Sequence, residues 1–127
     1  MLFDDTFNSH FRPQTSRAAQ KLLESAGCAV ELPREHVCCG RPYYDVGMLD
    51  RAKAALDRVL DVLPPGVPVV ILEPGCLSVF RDELKQLFPR DARAAKLQVF
   101  SLSEYLLKKN FTPKRAGNVL VHSHCHQ

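Results

Sequence analysis

The residues Val67-Pro68-Val69-Val70-Ile71-Leu72 carry no polar side chain, and they lie between two turn signals, Pro64-Pro65-Gly66 and Glu73-Pro74-Gly75. A run this short, rich in β-branched residues and bounded by breakers, reads as a strand with both faces covered. Strands of that kind belong to parallel sheets with helices packed on each side. That constraint shapes the reading of everything around it.

The flanking segments fit. Met1–Phe3 reads as the end of a first strand and Asp4–Arg12 as a loop at its carboxyl end. Pro13 suits the first position of a helix, where its missing N–H costs nothing. Ala18, Ala19, Leu22, Leu23 and Ala26 then recur at helical spacing until Gly27 stops the helix. Cys28–Leu32 alternates weakly before Pro33 and is expected to be a strand, with Cys28 a small buried hydrophobe. A motif-bearing loop, Pro33–Asp45, leads to the strongest helical pattern, Gly47–Leu63, with Met48, Leu49, Ala52, Ala55, Leu56, Val59, Leu60 and Leu63 along one stripe. After the central strand come a helix over Leu77–Phe88, a strand over Leu97–Phe100, a helix over Leu102–Lys109 and a strand over Gly117–His122. This alternation predicts an α/β fold with three layers, a mostly parallel sheet and helices on both faces. The arrangement is Rossmann-like, yet neither GxGxxG nor GxxxxGK[ST] occurs, so no nucleotide is implied.

At 127 residues the chain has room for one domain with a core. Its net charge of +3 comes from scattered residues rather than a block, which gives no sequence support for nucleic-acid binding. No stretch approaches a membrane span, and Asp4 and Asp5 interrupt any leader-like opening. Five cysteines without a secretory leader point to thiols in a reducing cytoplasm rather than a disulfide framework. The ending at His126-Gln127, directly after a Val-Leu-Val run and a His-rich cluster, reads as that of a piece of a longer polypeptide.

The chemistry concentrates in Val37-Cys38-Cys39-Gly40-Arg41-Pro42-Tyr43, in Glu73-Pro74-Gly75-Cys76 and in His122-Ser123-His124-Cys125-His126. Each group falls in a loop beside or following a strand, and in parallel sheets such loops gather at one edge. Cys76 also sits at the start of a helix, whose dipole favours a thiolate or a negatively charged cluster. Cys38, Cys39, Cys76 and Cys125 together would suffice for zinc or an iron–sulfur cluster. CxxC knuckles are absent and vicinal cysteines are poor co-ligands of one ion, which favours a cluster with several irons. His122, His124 and His126 alternate and face one way in an extended segment, suited to ligation, acid–base work or simple loop capping. Glu73 and Asp45 are the nearest acids and form no carboxylate pair. A Cys–His hydrolase would use one thiol and leave three unexplained. His10 and His36 default to structural or surface roles, and Tyr43 and Tyr44 to packing against the motif loop.

The stretches CCGRPYYDVGMLDRAK, LEPGCLSVFRDEL and VLVHSHCHQ, in this order, resemble the cysteine-rich CCG domain found in heterodisulfide reductases and in the iron–sulfur subunits of glycolate oxidases. The most similar branch is fused behind FAD-linked oxidase and ferredoxin-like domains in bacterial dehydrogenases of 2-hydroxy acids. The resemblance implies two similar repeats, the first spanning 1–116 and the second beginning at 117–127. It implies that Cys38, Cys39 and Cys76 match the first repeat's CCG pair and the first cysteine of its CxxC, and that Cys125 matches the early cysteine of the second. Two family cysteines are replaced, one by Val79 and one around Asp4 or Asp5.

By that resemblance the chain is an electron-transfer part of an iron–sulfur oxidoreductase, inactive as a dehydrogenase by itself. Cys38, Cys39, Cys76 and Cys125 ligate a cluster or perform thiol redox steps, supported by His124 and His126. FAD lies on another domain of the same polypeptide, and the acceptor is a quinone or a disulfide. The expected location is the cytoplasm, with a peripheral position at the inner membrane open, and pairing of the fragment with a second copy is compatible with its exposed edges. Two other readings stay open: a non-catalytic docking module with residual cysteines, and a structural zinc module.

Overall fold

The computed structural model describes residues 1–112, 117, 118 and 120. Its centre is a parallel sheet of three strands in the order β1-β2-β3, with β1 at Leu2–Phe3, β2 at Pro68–Ile71 and β3 at Gln98–Ser101. Leu2 and Phe3 stand in register with Val70 and Ile71, and Pro68–Ile71 with Gln98–Ser101. The apolar run is therefore the middle strand, which explains why neither of its faces carries a polar residue. Val69 and Ile71 enter one core with Phe3, while Val70 enters the other with Leu2.

Helices close both faces, giving the expected three layers. On one side lie α4 (Leu49–Val62), α5 (Pro74–Arg81), α6 (Glu83–Leu87) and α7 (Ala92–Lys96), contributing Leu56, Val59, Leu77, Phe80, Leu84 and Ala94 to the larger core. On the other, α2 (Pro13–Ser25) and α8 (Leu102–Lys108) cover Leu2 and Val70 with Ala19, Leu23 and Leu106. Phe3 and Phe80 meet edge to face, ring centroids 5.2 Å apart, which locks α5 onto β1. Ser101 and Glu104 form a reciprocal capping box at the start of α8.

Several elements differ from the sequence expectation. The stretch 28–32 forms no strand: Glu31 accepts one bond from the Leu2 amide at 2.8 Å, and the segment passes the sheet edge without building a ladder. Cys28 there is half-buried rather than buried, packed against the smaller core. The expected loop Asp4–Arg12 contains α1 (Thr6–His10), and the expected loop Pro33–Asp45 ends in α3 (Arg41–Asp45). The expected helix Leu77–Phe88 begins earlier and is broken at Asp82 into α5 and α6. In α4 and its C-cap, Ala52, Leu56, Val59, Leu60 and Leu63 of the stripe are buried and Ala55 is partly so, whereas Met48 and Leu49, at the helix cap and first turn, are about half exposed. Of the expected strand Gly117–His122, residues 119, 121 and 122 lie outside the described residues, and Gly117, Asn118 and Leu120 are not in a strand.

Candidate functional site

The site lies at the carboxyl ends of β1 and β2, where open parallel sheets leave a crevice. The chain leaves β1 through Asp5, whose buried carboxylate caps α1 by accepting from the Phe7 and Asn8 amides, both at 3.0 Å, and from Asn8 Nδ2 at 2.6 Å. It leaves β2 into the N-cap Glu73, whose carboxylate accepts from the Gly75 amide at 3.3 Å. Pro74 occupies the first position of α5 and Cys76 follows within the first turn, its side chain in the core. The Glu73 side chain thus caps the helix start at which Cys76 stands.

The third segment brings the vicinal pair. Val37 and Cys39 are buried and Cys38 is half-buried, so adjacent positions point to different environments. Gly40 turns the chain at φ 79°, and a Cβ at that position would stand 3.1 Å from the Ala52 carbonyl oxygen and 3.2 Å from Ala55 Cβ. The glycine of the CCG triplet is thus required twice, by its left-handed backbone and by the close approach of α4. Arg41 then starts α3.

These segments converge. Cys39 Sγ lies 2.8 Å from Cys76 Sγ, across 37 residues of sequence. A cavity of about 340 Å³ is lined by Cys38, Cys39 and Cys76 together with Thr6, Phe7, Arg41, Pro42, Asp45, Glu73 and Gly75. A larger concavity of about 650 Å³, near Met1, Pro64 and Arg93 at the opposite end of the strands, is lined by no cysteine or histidine.

The thiols affect one another strongly. The neighbouring Cys39 thiol, then burial, pushes the Cys38 thiol well above its ordinary range. For Cys39 the contact with Cys38 acts downward, but the Cys76 thiol and burial outweigh it and push the group up to about 12. Crowded sulfurs of this kind stay protonated unless a cation neutralises them. Their donor type, convergence and partial burial fit a thiophilic iron–sulfur group. Among the described residues, no group of three or more His, Cys, Asp or Glu side chains is placed to hold a metal ion.

Val79, Asp4 and Asp5, where the resemblance implied replaced cysteines, have structural roles here. Val79 is 1% exposed, within the larger core. Both Asp5 oxygens are engaged in the cap, and Asp4 accepts from Ser16 Oγ at 3.1 Å, so these acids serve local structure rather than standing in for a thiolate. Cys125, His122, His124 and His126 lie outside the described residues. His10 and His36, given no partner from sequence, meet edge to face at 5.2 Å; the Thr6 carbonyl accepts from His10 Nδ1 at 3.2 Å, and the Thr6 hydroxyl shares a hydrogen bond with His36 Nε2 at 3.3 Å. Sequence reasoning placed Asp45 and Glu73 near the site but missed Thr6, Phe7 and Arg41. The signal for the first two was the Asp5 cap ahead of Thr6-Phe7-Asn8.

The sequence matches the family described as "CCG: Cysteine-rich domain" over residues 5–81, more than half of its length. The chain belongs to the CCG cysteine-rich domain family. Its CCG relatives include lactate utilization protein A of Bacillus velezensis (strain DSM 23117 / BGSC 10A6 / LMG 26770 / FZB42), 31% identical over 127 residues, covering 91% of this chain and 52% of that protein. The protein of the same name from Bacillus subtilis (strain 168) is 34% identical over 85 residues, 67% of this chain and 35% of the relative. That from Macrococcus caseolyticus (strain JCSC5402) is 27% identical over 135 residues, covering 98% and 55%. The chain spans about half the length, or less, of these relatives. No solved structure matches it significantly. Among the described residues, no helix is long and apolar enough to cross a membrane.

Proposed function

We propose that this CCG domain is an electron-transfer part of an iron–sulfur oxidoreductase, with Cys38, Cys39 and Cys76 as thiolate ligands. The observation that carries the reading is the convergence of these three sulfurs on one cavity at the carboxyl edge of a parallel sheet. When bound, an iron–sulfur cluster supplies reversible one-electron transfer. The chain's own residues would hold it: Cys39 and Cys76 from buried positions and Cys38 from the half-exposed side, with Phe7 and Pro42 forming part of the cavity wall. Cys125, with His124 and His126, would add ligands or support from the following segment.

The finer reading takes lactate from the relatives' name and the rest from the family resemblance. A role in lactate or another 2-hydroxy-acid oxidation system, with FAD and a ferredoxin-like domain on the same polypeptide and a quinone or disulfide as acceptor, is the proposal for the intact protein. The test is anaerobic purification of the intact polypeptide, followed by iron and acid-labile sulfide analysis and EPR of the reduced state. Iron and sulfide that fall away together in Cys39→Ser and Cys76→Ser support the reading. One zinc per chain without sulfide would replace it with the structural zinc module, and neither metal nor reactive thiols would leave the docking module.

A further inference from the structure

Arg41 touches each of the segments that place the cysteines relative to one another. Its Nε pairs with Asp45 Oδ1 at 2.7 Å within α3. Its Nη1 donates to Glu83 Oε1 at 3.0 Å, at the start of α6, and to Ser78 Oγ at 3.3 Å in α5. Ser78 Oγ in turn donates to the Gly75 carbonyl at 2.9 Å, in the turn beside Cys76. One residue therefore joins the CCG segment to the EPGC segment.

Glu83 shows how firmly the join is made. Its side chain is only 13% exposed, and its Oε2 is buried with no hydrogen-bond partner. A carboxylate in that state is tolerated because the guanidinium compensates its charge. Charge supply to the thiols is not the explanation for Arg41, since Asp45 and Glu83 both face it and leave no net positive charge to offer. Geometry remains, and a planar fork is what lysine cannot reproduce.

We propose that Arg41 is a positioning residue whose guanidinium clamps α3 to α5 and α6, holding Cys38 and Cys39 at the separation from Cys76 at which one thiophilic group takes all three thiols. The proposal rests on the ligation reading above. It makes Arg41 a determinant of metal capture without contact to the metal.

The test reconstitutes the reduced, metal-free chain with ferrous iron and sulfide under anaerobic conditions, following the visible sulfur-to-iron absorption and its loss to a competing chelator, with thermal melts alongside. R41Q and R41K are each expected to weaken the affinity for iron, read against the chelator, by about 10–100-fold, the usual effect of losing a group that orients ligands. R93Q, which removes the guanidinium pairing with Asp57 and Asp61 of α4 and with Asp91 at the start of its own helix, is expected to leave the affinity unchanged. The double variant R41Q/E83Q removes the uncompensated carboxylate, so it should melt above R41Q yet keep the weakened affinity. Wild-type affinity in R41Q or in the double variant would overturn the proposal, and wild-type affinity in R41K would overturn the role of the fork. A wild-type absorption unchanged in C39S and C76S would instead remove the ligation reading, and this proposal with it.

Discussion

Replacing Gly40 by alanine tests how the CCG triplet is built. Gly40 has φ 79°, and a left-handed backbone costs an L-residue about 1–2 kcal/mol. The added Cβ would also meet the Ala52 carbonyl oxygen at 3.1 Å and Ala55 Cβ at 3.2 Å. Backbone oxygen cannot rotate away, so α3 or α4 must shift, and overpacking of this kind costs about 1–3 kcal/mol. With partial relaxation the sum is about 2–4 kcal/mol, or about 6–20 °C in melting temperature for a domain of this size. Gly27 supplies the control: its φ is 77°, but nothing lies within 4 Å of a Cβ placed there. Gly27→Ala carries the backbone cost alone, offset in part by the smaller entropy of its unfolded chain. Paired thermal and urea unfolding of the two variants isolates the contact with α4. Equal destabilisation, within about 0.5 kcal/mol, would refute the argument that close approach of α4 demands this glycine.

Other consequences are open to the same kind of measurement. Asp5→Ala should cost about 1–3 kcal/mol through loss of the α1 cap, while Asp5→Asn keeps most of the stability; metal content equal to wild type in both would show that Asp5 is not a ligand. Phe80→Ala, removing the edge-to-face partner of Phe3 from the larger core, should cost about 3–5 kcal/mol by urea unfolding. The raised pKa of Cys39 makes the metal-free chain lose stability as pH rises above the ordinary thiol value of about 8.5 toward about 12, and Cys39→Ser should flatten that alkaline slope. Asp91 is held at about 2, chiefly by the Arg93 side chain, so its contribution is present above the ordinary carboxylate range and lost as pH falls toward 2; Asp91→Asn should remove that part of the acid-unfolding profile.

The long-range order of the fold was legible because its signals are local. The apolar run 67–72 marked the middle strand, and the stripes in 13–27 and 47–63 marked the two longest helices. The short helices were not legible. α1, α3, α6 and α7 have five residues each, too few to display a 3.6-residue period, and α1 and α3 contribute Thr6, Phe7 and Arg41 to the cavity. The stretch 28–32 misled for the opposite reason, since strand propensity without a partner ladder makes no strand.

By itself, the sequence determined the parallel α/β architecture, the CCG and EPGC segments as bearers of the chemistry, and the family to which the resemblance pointed. Only the tertiary structure decided that Cys39, rather than Cys38, meets Cys76, that Asp5 and Val79 serve structure, and that Arg41 joins the two cysteine segments. The reason is physical: periodicity and propensity act over a few residues. The Cys39–Cys76 contact spans 37 residues, and it is set by where β2 leaves the sheet and how closely Gly40 lets α3 approach α4.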